Sequence, residues 1–325
     1  MRSFTASLAK ARPSVIGVVA AAAVLGLAAC APGATTGSSS AGAGGAIAVV
    51  ASTNVYGDLA KAVGGDRVSV TAMISKASQD PHSYEATSQD RLAVSKAKLV
   101  IENGGGYDPF LDTLAREGKV GPDSIITAVQ IAGLEQQGST GTASTASGQA
   151  HASYNEHVWY DVAAMRKITA AVADRLAQLD PSGKGTFEAQ AKAVDTRLAA
   201  LEGQIAGLKA HAAGKKVAVT EPVPLYLLEA AGLTNATPEA FTSAVEEGQD
   251  VPPAVLKEML DLVGSRDVAM LAYNPQTASP QTEQLRKAAE SAKVPVVDFT
   301  ETVPEGTGYL DWMQSNVDAL GKALS

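Results

Sequence analysis

Residues 185–211 read GTFEAQAKAVDTRLAALEGQIAGLKAH. Within them Val194, Leu198, Leu201, Ile205 and Leu208 recur at spacings of four and three, which draws one apolar seam along an otherwise polar helix. At about 1.5 Å per residue such a helix runs for roughly 40 Å, the span of a whole small domain. The stretch therefore predicts a connector between two lobes. A second helix is expected just before it, over residues 162–179, and Asp180-Pro181 between the two supplies an N-cap and a helix-compatible first-turn proline. His211 falls in the last turn of the connector, where a positive charge complements the helix dipole.

On the N-terminal side of these helices the chain alternates between short apolar runs and amphipathic stretches. Strands are expected over 46–52, 68–74, 99–101 and 124–129, and helices from Tyr56 to a stop at Gly64-Gly65, then over 88–98 and 107–117. On the C-terminal side the alternation restarts. Strands 217–220, 268–272 and 294–299 are interleaved with helices 224–231, one opened by Pro252-Pro253, 279–293 and 309–324, with an acidic turn over 245–250. Strands that alternate with helices form parallel sheets with helices on their faces. The fold class is therefore α/β: two lobes with parallel sheets flanked by helices, joined by a long rigid connecting helix. The lobes are expected at 46–161 and 213–325, with connecting helices at 162–212. A packed helical connector bends less than paired strands, so the expected closure motion is small.

The opening of the chain is of another kind. Arg2, Lys10 and Arg12 precede an Ala-rich apolar run from Val15 to Ala29 and then Cys30, the only cysteine of the 325 residues. A basic n-region, an apolar h-region and small residues at a cleavage point define a secretory leader over residues 1–29. The run is shorter than the roughly 20 residues of a membrane-spanning helix. Leu27-Ala28-Ala29-Cys30 resembles a bacterial lipobox, in which the cysteine is lipidated and becomes the new N-terminus; the alternative is an ordinary secretory leader. Residues 30–45, almost wholly Gly, Ser, Thr, Ala and Pro after Cys30, read as a lipidated cysteine and a flexible tether to the membrane. Loss of 1–29 removes three basic residues and no acid, so the net charge moves from −8 to −11. That acidity argues against a nucleic-acid partner, whose phosphates need Lys and Arg, and mildly favours cations.

With no second cysteine the folded part can hold neither an internal disulfide nor a thiolate metal site, so any metal is held by nitrogen and oxygen. Four such side chains stand next to expected strand ends or in polar loops: His82, His157, Glu221 and Glu301. In open α/β folds ligands collect just beyond the carboxyl ends of strands. Two neutral imidazoles and two carboxylates form a dianionic set that neutralises a divalent first-row ion such as Zn²⁺, Mn²⁺ or Fe²⁺. For each histidine the plain alternative is a loop residue bonded to nearby backbone, and for each acid a solvated group near a helix start. Tyr84 and Trp159 read as packing around the site. Asp80 reads as an acceptor that orients an imidazole or as a turn cap, and Asp298 and Asp311 compete with Glu301 for the fourth position.

The lipobox, Asp80-Pro81-His82-Ser83-Tyr84-Glu85, Glu156-His157-Val158-Trp159, the long helix and Glu246-Glu247-Gly248 together resemble the zinc/manganese substrate-binding lipoproteins of bacterial ABC transporters. The likeness covers essentially everything from Ala46 onward. It implies that His82 and His157 are the first two ligands and that Glu221, just after the first strand of the second lobe, is the third, in the version associated more with manganese. The fourth family ligand is usually Asp; this chain offers Glu301 in Phe299-Thr300-Glu301-Thr302. Many zinc-specific members carry a His-rich run where residues 135–153 hold His151 alone. That Gly-, Ser- and Thr-rich segment reads as a mobile loop.

The resemblance implies a lipoprotein anchored outside the bacterial cell membrane at Cys30. It would capture Zn²⁺ or Mn²⁺ between its lobes and deliver the ion to an ABC permease, a monomer being the expectation for a tethered carrier. One competing class is a zinc hydrolase, although no HExxH or GxSxG motif is present. Another is an adhesin or organic-solute binder on the same scaffold. Only the carrier reading requires chelator-sensitive binding with no catalysis.

Overall fold

In the computed structural model the described residues are 45–79, 84–134 and 154–325. The leader, Cys30, the tether to Gly44, Asp80, His82 and the segment 135–153 with His151 lie outside them. The first half runs β1 (Ile47–Thr53), α1 (Asn54–Gly64), β2 (Val68–Ile74), α2 (Ser88–Lys96), β3 (Leu99–Glu102), α3 (Pro109–Glu117), β4 (Ile125–Thr127) and α4 (Ala128–Ala132). Two helices follow, α5 (Val162–Leu179) and α6 (Lys184–Ala212). The second half runs β5 (Lys216–Val219), α7 (Leu225–Ala230), β6 (Thr234–Asn235), α8 (Glu239–Glu246), α9 (Pro253–Ser265), β7 (Val268–Tyr273), α10 (Pro280–Ser291), β8 (Val296–Asp298) and α11 (Tyr309–Leu324).

Each half builds a four-stranded parallel sheet with the same strand order, β2-β1-β3-β4 in the first and β6-β5-β7-β8 in the second. In both, the chain leaves the founding strand first to one side and then to the other. That reversal opens a crevice at the carboxyl ends of β1 and β3, and of β5 and β7, where α/β sheets place their ligands.

Both sheets are covered on both faces, which is why their strands read as continuous apolar runs. One large core cluster takes in Val49, Ala51, Leu99 and Ile101 of the first sheet, Val217, Val219, Met270 and Ala272 of the second, and the inner faces of α1, α5, α6 and α11. The opposite faces make separate cores. Val50, Val100, Leu111 and Leu114 pack outside the first sheet; Ala218, Phe241, Met259 and Leu271 pack outside the second.

The shared core is organised by α6. Phe187, Ala191, Val194, Leu198, Leu201 and Ile205 are buried along it, as the seam predicts, against α5, α1 and α11. Its 29 residues give a length of about 44 Å. Arg166 on α5 forks onto Asp195 and Glu202 of α6 and keeps the two helices in register on their wet side. Between them the chain makes a short 3-10 turn, Pro181–Gly183, and Asp180 accepts from the backbone N–H groups of Ser182 and Gly183. Asp180 thus caps this turn, with the long helix starting just after it. His211 is exposed in the last turn of α6.

Three local expectations change. The fourth strand stops at Thr127, and Ala128 and Val129 enter a helix. A short apolar run does not distinguish a buried strand from a buried helical turn, and here Val129 N–H donates to Asn103 O at 3.0 Å and bends the chain over the sheet end. The helix expected from 107 begins at Pro109 because 104–106 form a left-handed glycine turn. Part of the acidic turn is the end of α8, which buries Phe241, Thr242 and Val245 on one side.

Replacing Leu198 by Ala removes a fully buried side chain from the seam of α6. The expected loss is about 3 kcal/mol of unfolding free energy in urea titration; a loss below about 1 kcal/mol would mean that the seam collapses around the gap or carries little of the core.

Candidate metal centre

Glu221 and Glu301 are delivered from the second sheet. Glu221 is the second residue after β5 and Glu301 the third after β8, and the turn after β7 lies between them with Asn274 at its head. All three are buried, with Glu221 3% and Glu301 2% exposed. Asn274 Nδ2 donates to Glu221 Oε2 at 2.5 Å and to Glu301 Oε1 at 3.0 Å, so one amide bridges the two carboxylates. Its orientation is determined by the backbone, because Asn274 Oδ1 accepts the Gln276 N–H at 3.0 Å. Thr277 Oγ adds a second donor to Glu221 Oε2 at 2.5 Å.

The first half reaches the same point through Tyr107. After β3 the chain turns through Gly104, Gly105 and Gly106, all at positive φ; a Cβ on Gly104 would stand 2.6 Å from the Thr127 side chain. Asp108 locks the turn by accepting from Asn103 N–H at 2.6 Å and Gly104 N–H at 2.8 Å. Burial raises the pKa of its carboxyl, and the two backbone N–H bonds oppose the rise. Tyr107 Oη then donates to Glu301 Oε2 at 3.2 Å. Burial first, and the Glu301 charge second, push the Tyr107 pKa well up, so the phenol remains a donor.

His157, 1% exposed, stands beside this pair, its ring 5.9 Å from that of Tyr107 and 5.2 Å from that of Trp159. Its loop is held from both sides. Asn103 Nδ2 donates to Glu156 O at 2.9 Å from the first half, while Asn155 Nδ2 donates to Pro222 O at 3.0 Å and Tyr226 Oη to Asn155 O at 2.6 Å from the second. Asn155 Oδ1 accepts the His157 backbone N–H at 3.1 Å and lies 2.6 Å from its Nδ1. A carbonyl oxygen facing Nδ1 favours a proton on that nitrogen.

The loop carrying Glu301 is tied across the molecule as well. Asn54 at the start of α1 exchanges bonds with Val303 N–H and O at 3.0 and 2.8 Å, and Tyr160 Oη donates to Thr300 O at 2.8 Å. Gln276 Oε1 accepts from Glu301 N–H at 2.6 Å while its Nε2 donates to Ala77 O at 3.1 Å, on the loop that leads toward His82.

Of the four residues singled out in the sequence, Glu221 and Glu301 share the Asn274 amide, and His157 packs on the Tyr107 ring whose hydroxyl donates to Glu301; His82 is outside the described residues. The competitors for the fourth position face elsewhere. Asp298 is exposed and 3.4 Å from Arg286, and Asp311 is exposed and paired with Arg197. Trp159 packs against both Tyr107 and His157, whereas Tyr84 donates to Asp90 at 3.0 Å and meets the Phe110 ring at a tilt. Sequence reasoning missed four participants. Asn274 and Gln276 carry no charge and follow a strand as ordinary turn residues do. Glu156 and Glu246 place carboxylate oxygens within 4.8 Å of each other and of a His157 ring nitrogen, which among the described residues is the one group of three or more His, Cys, Asp or Glu close enough to share a metal ion. Their presence in two motifs already singled out was the available signal.

Two buried carboxylates, and a buried imidazole with two more acids within 4.8 Å of it, concentrate negative charge where water is scarce. A divalent cation of borderline softness suits that donor set, and the cost of burying the acids falls when it binds.

A profile of the family described as zinc-uptake complex component A, periplasmic, matches residues 49–323. The manganese ABC transporter substrate-binding lipoprotein ScaA of Streptococcus gordonii is 23% identical over 319 residues, covering 93% of this chain and 96% of that protein. The manganese-binding lipoprotein MntA of Halalkalibacterium halodurans is 28% identical over 299 residues, covering 89% and 92%. The periplasmic zinc binding protein TroA from Treponema pallidum superposes with a TM-score of 0.68 at 18% identity, over 86% of this chain and all of that one, a likeness of fold. With the profile spanning both sheets and the helices between them, the chain belongs to the family of the periplasmic component A of zinc-uptake complexes.

Proposed function

We propose that this protein is the extracytoplasmic binding component of an ABC importer, capturing Zn²⁺ or Mn²⁺ between its two sheets and presenting the ion to a membrane permease. The observation that carries the reading is the pair of buried carboxylates, Glu221 and Glu301, held on one amide beside His157. Those three residues and His82 are the proposed ligands. Family membership and relatives named as manganese-binding lipoproteins support the cargo class. The lipobox reading of Cys30 adds a lipid anchor, and the tether after it allows a monomeric domain to reach the permease. No helix among the described residues is long and apolar enough to cross a membrane.

Four side chains on one ion leave no open coordination position for an activated water, so the reading assigns capture and release and no catalytic step. The shared core under both sheets also favours a rigid carrier whose loops at the crevice respond to the ion while α6 stays straight.

Calorimetric titration of the chelator-stripped protein with Zn²⁺ and Mn²⁺ separately tests this. Stoichiometric binding with a raised Tm is expected for at least one ion, and His157→Ala and His82→Ala should each abolish most of it; silence with both ions, or binding unchanged in either variant, would remove the reading. Asn155→Ala should weaken binding about 10- to 100-fold, because the imidazole loses the acceptor that holds its tautomer and direction. Equal affinity in that variant would show that packing against Tyr107 and Trp159 alone orients the ring.

A further inference from the structure

Resting on this metal-carrier reading, we infer that Asn103 is a positioning residue for His157: from the first half, its amide holds the carbonyl that closes the turn on which the imidazole is presented.

The backbone at His157 carries the inference. Its φ of −74° and ψ of 57° are those of the central residue of an inverse γ-turn. Val158 N–H donates to Glu156 O at 2.7 Å and closes that turn around His157. Asn103 Nδ2 donates to the same oxygen at 2.9 Å, from a residue 53 positions earlier in the chain. A carbonyl oxygen has two lone pairs, so it accepts both. One donor shapes the turn and the other ties it to the end of β3. A three-residue turn closed by one backbone bond is held weakly by itself, so support from outside the loop decides how firmly the ring is aimed.

Asn103 is itself immobilised. It is the first residue after β3 and is fully buried. Its N–H donates to Asp108 Oδ2 at 2.6 Å and its backbone O accepts the Val129 N–H at 3.0 Å. On the side chain, Nδ2 also donates to Gly104 O at 3.0 Å, while Oδ1 accepts from Tyr56 Oη. Two carbonyl oxygens on one side and a phenol on the other leave a single orientation for the amide. Turned over, it would set Oδ1 against Gly104 O and Glu156 O.

Tyr56, on α1, is fully buried as well. Burial first, and the Asp108 charge second, push its pKa well above the ordinary phenol value, so the hydroxyl keeps its proton for Asn103. The support for the turn therefore runs from α1 through Tyr56 and Asn103 to Glu156 O. Neither Tyr56 nor Asn103 is among the proposed ligands. Their effect is on preorganisation: an imidazole already aimed loses less freedom when an ion arrives, whichever ion it is.

The test measures Zn²⁺ and Mn²⁺ affinities by competition titration on the full chain, chelator-stripped, with the urea midpoint of the same metal-free protein. The proteins compared are the wild type, Asn103→Leu, Tyr56→Phe and Leu198→Ala. Asn103→Leu keeps the branched shape of the side chain and removes its donor; Tyr56→Phe removes one hydroxyl and guards against a folding defect in the first variant. Leu198→Ala lowers stability from the α6 seam and is the control for stability alone. Affinity for each ion that the wild type binds is expected to fall about 10- to 100-fold in Asn103→Leu and by a smaller factor in Tyr56→Phe. Leu198→Ala should lower the urea midpoint and bind as the wild type does. Wild-type affinity in Asn103→Leu, or in Tyr56→Phe where the first variant does not fold, would make Asn103 a structural residue and overturn the positioning assignment while the carrier reading stands. A matching loss of affinity in Leu198→Ala would do the same. Failure of the wild type to bind either ion would overturn both.

Discussion

Two like charges buried within reach of one amide are the constraint to which the rest of this structure answers. Glu221 and Glu301 leave water on folding, 3% and 2% exposed. The hydrogen bonds from Asn274, Thr277 and Tyr107 recover part of the lost hydration. The remainder is a standing electrostatic cost that a bound divalent ion lowers. Metal affinity and the energetic tension of the ligand-free site are then two descriptions of one quantity.

Holding such a pair in place demands rigid supports, and the architecture supplies them in duplicate. Each sheet opens its crevice at the carboxyl ends of its central strands, and the two sheets share a core under that crevice through α5, α6, α1 and α11. The clamps over the crevice run between halves: Asn54 to Val303, Tyr160 to Thr300, Asn155 to Pro222, Gln276 to Ala77. Contacts of this kind tie the two halves together on both sides of the crevice. The Gln276 bond to Ala77 is notable in that respect, because it connects the Glu301 loop to the chain that leads into the other histidine motif.

Much of this was legible in the chain itself. The apolar seam from Val194 to Leu208 announces the long helix because a helix buries one stripe; Val194, Leu198, Leu201 and Ile205 are buried, Leu208 is half-buried, and the buried stripe extends back to Ala191 and Phe187. The alternating runs announce parallel sheets because strands covered on both faces are apolar throughout. His157, Glu221 and Glu301 stand out because polar ligating side chains directly after apolar strands fall where α/β crevices lie; in the fold Glu221 and Glu301 meet on Asn274, and His157 packs against Tyr107. The boundaries were less legible: Ala128 and Val129 carry strand-like side chains but are recruited to a helical turn by the Asn103 carbonyl, a partner remote in sequence.

What the sequence by itself determined is therefore the class of fold, the connector and the ligand types, since these follow from periodicity and from the chemistry of individual side chains. Only the tertiary structure decided that Asn274, Gln276 and Tyr107 bond to Glu221 or Glu301, that Glu156 and Glu246 lie by His157, and that Asp298 and Asp311 are exposed and paired with arginines. The physical reason is that a neutral amide or a phenol acquires its role from what it is buried against. Tyr107 meets Glu301 across 194 residues and Asn274 meets Glu221 across 53, distances over which no local pattern carries information.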